Sequence, residues 1–133
     1  MTHILVVEDN PGIGSVMQEL LEMEGYQVSL AANGLEALDV LNQTTPDLVV
    51  SDIMMPKMDG FALLEAVRAR PNGAGIPFLF LSARSEQAAT SRARSLGADD
   101  YLFKPFAPED LLVAIRAKLD RRRALQLLDT RLA

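Results

Sequence analysis

The chain has no cysteine among its 133 residues. This excludes disulfides, thiolate metal centres and cysteine nucleophiles, and it is compatible with a reducing compartment without demanding one. No apolar run approaches the roughly 20 residues a membrane-spanning helix needs. The opening "MTHILVVEDN" goes straight into a strand pattern, with neither a basic region nor a cleavable apolar segment. It therefore predicts no secretion signal, no membrane association and a cytoplasmic location. An excess of positive charge is missing too: 13 Lys and Arg against 18 Asp and Glu leave a net charge of -5. That balance disfavours direct nucleic-acid binding, which needs a clustered basic face. The one basic cluster, Arg121, Arg122 and Arg123, reads as a solvated helix face near a helix C-terminus, where the dipole favours cations. What is present, 49% hydrophobic and 23% charged residues, is the composition of one folded domain with a proper core.

Five apolar segments recur, at 3–8, 27–32, 47–52, 77–82 and 100–103, each followed by a helical pattern. Asn10 with Pro11, Ser85 with Glu86, and Pro108 with Glu109 and Asp110 carry helix-start signals. Gly25, Pro46, Pro71 and Gly97 carry stop signals. Helices are expected at about 11–24, 34–43, 60–70, 86–96 and from 108 onward, with ends good to roughly two to four residues. Strands this apolar, alternating with helices, imply a single α/β domain with a parallel sheet covered on both faces. "RPNGAGIP", 70–77, reads as a polar loop free to vary without touching the core. In the last helix, Leu112, Ile115 and Leu119 form the expected inward stripe.

Ligands in such sheets bind beyond the carboxyl ends of the strands. Glu8 and Asp9 end the first strand, Asp52 the third, Ser82 the fourth, and Lys104 with Pro105 the fifth. Clustered carboxylates repel one another until a hard cation sits between them, which makes Mg²⁺ the natural partner. Such a metal would clamp phosphoryl oxygens, with Lys104 and the Ser82 hydroxyl taking the others. Phosphoryl transfer needs little more than this. His3 is the only histidine. Five strand steps place it about 17 Å from Glu8, so the phosphoryl donor is another molecule.

The acidic pair Glu8-Asp9, "DIMMPKMDG" around Asp52, "LSA" with Ser82 and "KPF" with Lys104-Pro105 resemble, in order and spacing, the receiver domain of two-component response regulators. The likeness spans residues 3 to about 120. It implies a flavodoxin-like sheet in the order 2-1-3-4-5 and a phosphoryl group accepted on Asp52 from a histidine kinase or histidine phosphotransfer protein. Mg²⁺ is then held by Asp9, Asp52 and the backbone carbonyl of Met54, with Glu8 acting through water. Pro105 is implied to follow a cis peptide. Ser82 is the switch residue and Tyr101 the aromatic that turns inward with it, while Ala83 leaves the acyl phosphate approachable. Met54 and Arg84 stand at variable positions that tune phosphoryl lifetime. The output surface implied is the face of the fourth helix, fifth strand and fifth helix, here about 86–120, which would reach an output domain, a partner protein or a second copy on phosphorylation. Such a domain is a switch that catalyses only its own phosphorylation and dephosphorylation.

Residues 1–120 are thus expected to be the receiver and 121–133 an appendage. "RRRALQLLDTRLA" fits a frayed helix end, a dimerising helix or the start of a linker. Three rivals compete with this reading. A haloacid dehalogenase-type phosphohydrolase needs a second acid where Met54 stands. A flavin site needs a phosphate cradle where "EDNPGIG" places two acids. A receiver-shaped interaction module that works without phosphorylation retains every chemical residue and stays open.

Overall fold

Each apolar run forms a strand. β1 (His3–Val7), β2 (Gln27–Ala31), β3 (Leu48–Asp52), β4 (Phe78–Ala83) and β5 (Asp100–Lys104) pair in parallel, in the order β2-β1-β3-β4-β5. The computed structural model of the chain describes residues 1–83 and 100–132, the side chains of 83, 100 and 129–132 excepted. The helix expected over 86–96, its signals at Ser85, Glu86 and Gly97, and Arg84 lie outside the described residues. The described helices are α1 (Pro11–Met23), α2 (Gly34–Gln43), α3 (Gly60–Arg68) and α4 (Pro108–Leu132).

Local chemistry starts and stops these elements. Asn10 precedes Pro11, and its side chain accepts hydrogen bonds from the backbone N–H groups of Gly12 at 3.0 Å and Ile13 at 3.1 Å. Two donors that the first turn of α1 leaves orphaned are thereby satisfied. Gly25, at φ 89° just past that helix, takes the left-handed conformation that glycine adopts without steric cost. Asn33 and Asp59 cap α2 and α3 in the same way as Asn10.

Strand alternation divides the core into two layers. Leu5, Val7, Val49, Phe78 and Phe80 pack with Leu41 of α2 and with Leu63, Leu64 and Val67 of α3. Ile4, Val6, Leu48, Val50, Leu79 and Leu81 pack on the other face, with Met17 and Leu21 of α1 and with α4. β1 and β3 are buried along their whole length, as central parallel strands covered on both faces must be. Each large side chain so buried contributes about 1.5–3 kcal/mol.

The structure differs from expectation in three places. The α4 stripe is Leu111, Ile115 and Leu119, all buried, whereas Leu112 is only partly so. The spacing of four along one face begins one residue earlier than expected. The 70–77 loop does touch the core: Ile76 is buried, and the Arg68 guanidinium donates to the carbonyls of Gly73 at 2.9 Å and Ile76 at 2.7 Å. Finally, α4 runs to Leu132, so the three arginines sit within a helix and not at its end. Arg122 turns back onto the sheet and donates to the carbonyl oxygen of Asp47 at 2.6 Å, with the Asp47 carboxylate 3.4 Å away. Arg121 and Arg123 stay exposed.

His3 lies at the amino edge of β1, buried, with Nε2 2.7 Å from Ser29 Oγ, while its backbone N–H donates to the Asp47 carboxylate at 2.8 Å. Burial lowers its pKa below the ordinary 6.5, and the negative charge of Asp47 opposes that only in part. Below about pH 6.5 the unfolded chain therefore binds the proton more readily than the folded one. Its contribution to stability is full above that pH and is lost as pH falls through the lowered folded value. Denaturant midpoints measured from pH 7.5 down to 5 should fall more steeply for the wild type than for His3→Gln. Parallel slopes would mean that His3 titrates alike in both states.

Candidate phosphoryl-acceptor site

The five parallel strands end at one edge, where the acids collect. β1 delivers Glu8 and Asp9 immediately after Val7, β3 ends on Asp52, and β5 ends on Lys104. Parity aligns three of them: Asp52 is in step with Leu48 and Val50, Lys104 with Leu102, and Glu8 with Ile4 and Val6, all on the α1/α4 face. Ser82 follows the other parity, with Phe80 and, across the ladder, Tyr101 and Phe103.

Oxygens of Glu8, Asp9 and Asp52 come within 4.8 Å of one another. Glu8 and Asp52 are buried and Asp9 is exposed. Lys104 Nζ lies 2.6 Å from Asp52 Oδ1 and 3.2 Å from Glu8 Oε1, so one ammonium serves two buried carboxylates and leaves the group net negative. Glu8 Oε2 is buried without a hydrogen-bond partner among the described residues. A buried carboxylate oxygen left in that condition is costly. Oxygen donors, excess negative charge and an opening at Asp9 fit a hard divalent cation such as Mg²⁺.

The other expected residues are placed as follows. Ser82 is buried at the end of β4. Tyr101 is half-buried, its ring edge-on to Phe103 at 5.2 Å between centroids. The Lys104–Pro105 peptide is cis. Met54 lies in the loop after β3 with its side chain exposed. Two residues in "DIMMPKMDG" were not singled out from sequence. Asp59 caps α3 through a 2.9 Å hydrogen bond from Ala62 N–H. Gly60 donates from its N–H to the Ile53 carbonyl at 2.7 Å, folding the loop back beneath Asp52. An aspartate and a glycine immediately before a helical pattern were the available signal.

The response regulator receiver domain model matches residues 4–116. The chain belongs to the response regulator receiver family. Its relatives include the response regulator MprA of Mycobacterium sp. (strain KMS), 42% identical over 119 residues, which are 90% of this chain and 51% of that protein. The response regulator SaeR of Staphylococcus aureus (strain USA300) is 38% identical over 121 residues, covering 91% of this chain and 52% of that one. The receiver thus spans about half the length of the relatives it matches. Among solved structures, the signal receiver domain of a signal transduction histidine kinase from Syntrophus aciditrophicus superposes with a TM-score of 0.83 at 36% identity, covering 90% of this chain and 91% of that chain. The chemotaxis response regulator CheY4 of Vibrio cholerae gives 0.84 at 33% identity, covering 89% and 98%. The receiver fold, flavodoxin-like in strand order, is therefore that of a two-component signalling domain, and no helix among the described residues is long and apolar enough to cross a membrane.

Proposed function

We propose that this receiver accepts a phosphoryl group on Asp52 from a phosphorylated histidine of a kinase or phosphotransfer protein and relays that event to a partner or output domain. The observation that carries the reading is the meeting of Lys104 with Asp52 at 2.6 Å and Glu8 at 3.2 Å, beside an acid cluster in need of a cation. In the step itself an Asp52 carboxylate oxygen attacks phosphorus. The phosphorus–nitrogen bond of the donor breaks, and the imidazole leaves with the electron pair. Lys104 holds a phosphoryl oxygen, and Ser82 offers its hydroxyl to another. Asp9, Asp52 and the Met54 carbonyl would hold Mg²⁺, with Glu8 acting through water. When bound, the ion supplies charge neutralisation for the phosphoryl oxygens. Loss of the signal is hydrolysis: water attacks phosphorus, inorganic phosphate leaves, and the Asp52 carboxylate is restored.

The new charge draws on Ser82 and Lys104, and Tyr101 lies three residues before Lys104 on β5, on the parity that Ser82 shares. The route outward to an output domain, a partner or a second copy is the surface expected over about 86–120, of which 86–99 lie outside the described residues. The chain's role is that of a cytoplasmic switch, with residues 1–120 as the receiver and 121–133 as its extension. Incubation with acetyl phosphate and Mg²⁺, read by intact mass, is expected to give one labile phosphoryl adduct that is absent in excess EDTA. Failure with both acetyl phosphate and a phosphorylated histidine donor would favour a receiver-shaped module that acts without phosphorylation.

A further inference from the structure

A groove of about 740 Å³ lies at the opposite, amino edge of the sheet. α4 forms one wall with Lys118, Arg121, Arg122 and Leu125, facing Thr45 on the loop before β3 and Asn72 and Pro77 on the loop before β4. Its lining contains three cationic side chains, no carboxylate and no aromatic ring. This concentration of one sign stands out on a chain of net charge -5.

The arginines differ in how they are held. Arg122 is fixed in direction by the Asp47 carbonyl at 2.6 Å, and its Nε is buried without a hydrogen-bond partner among the described residues. Arg121 is exposed and enters no ion pair among the described residues. Beside them the Leu125 side chain is 52% exposed. A planar guanidinium is matched to a carboxylate or phosphate, and an apolar neighbour favours a ligand carrying an apolar side chain next to its acids. The lining holds no aromatic ring on which a nucleobase could stack.

We infer that this groove binds an acidic peptide segment of a partner protein, its carboxylate on Arg121 and an apolar side chain against Leu125. The site is remote from Asp52, so the inference stands independently of phosphoryl chemistry. The test uses the full chain and fluorescence anisotropy with a labelled hexapeptide of glutamate and leucine, a counterpart with serine in place of leucine, and tripolyphosphate as competitor. The glutamate–leucine peptide is expected to bind with a Kd below about 100 μM at low salt. Arg121→Glu should weaken it at least about tenfold, and Leu125→Ser should reduce it to the level of the serine peptide. Arg123→Glu makes the same charge change on the same helix outside the groove lining and should cost less than about twofold. Equal losses at Arg121 and Arg123 would reduce the effect to net charge and overturn the site. Equal binding of the serine peptide, full displacement by tripolyphosphate at matched charge, or no binding at all would overturn it as well.

Discussion

Asp52→Asn is expected to abolish the phosphoryl adduct while leaving the fold intact and, without metal, slightly more stable. The amide nitrogen of asparagine is no nucleophile toward phosphorus, so nothing at the strand end replaces the lost oxygen anion. The fold tolerates the change because the side chains are nearly identical in shape and Asp52 closes no cap. The stability gain follows from counting charges: Lys104 is shared by Glu8 and Asp52 at 3.2 and 2.6 Å, and Asp9 adds a third acid within 4.8 Å. Removing one carboxylate leaves two acids, Glu8 and Asp9, against Lys104 in place of three, which relieves repulsion on the order of 1 kcal/mol. Magnesium should act unequally on the two proteins. At about 100 times its Kd it would stabilise the wild type by about 2.7 kcal/mol and Asp52→Asn by much less. Thermal melts in EDTA and in Mg²⁺, run beside intact-mass measurements, check both halves. An adduct of undiminished yield on the variant would place the acceptor elsewhere, and an equal Mg²⁺ shift would take Asp52 out of the metal site.

The fold was legible because its signals are local. Apolar runs of five or six residues separated by capped helices leave a parallel sheet as the arrangement that buries both faces of each central strand. Asn10 with Pro11, and Gly25, act where their chemistry said they would. The misses are of another kind. Arg122 reaches Asp47, 75 residues away in sequence, and no periodicity encodes that meeting. The dipole argument for the arginines assumed that the helix ended near them, and α4 continues to Leu132. The 70–77 loop looked dispensable from its Gly and Pro content, yet Ile76 is a core residue and Arg68 ties down two carbonyls there. Composition reports how a loop turns but not which of its side chains the body has room for.

The site was legible for a related reason. Glu8, Asp52 and Lys104 each terminate a run whose parity can be counted, so sequence alone brings them to one edge and one face. What counting does not supply is the support beneath them. The loop after Asp52 folds back so that Gly60 bonds the Ile53 carbonyl and lies against the Asp52 backbone, and a glycine has no side chain to suggest a role.

Gly60→Ala tests that support. A β-carbon at Gly60 would overlap the backbone carbonyl oxygen of Asp52 and would stand 2.6 Å from Cε1 of Phe80 and 3.0 Å from the Ile53 α-carbon. Phe80 is fully buried and packed against Phe61 and Phe78, so it cannot swing away, and a strand carbonyl cannot move without disturbing its ladder. The strain must fall on the Gly60 N–H bond to Ile53, now 2.7 Å, and on the direction of Asp52. We expect a loss of about 1–3 kcal/mol, the range of a small-to-large change in a tight place. Adduct formation should fall by about tenfold or more at a temperature where the variant is still folded, since a misplaced nucleophile loses rate before it loses affinity. Gly75→Ala, whose added β-carbon meets nothing within 4 Å, is the matched control and should change stability by less than about 0.5 kcal/mol. If Gly60→Ala melted with the control and took up phosphate at the wild-type rate, the close approach of this glycine to Asp52 would have no part in positioning the acceptor.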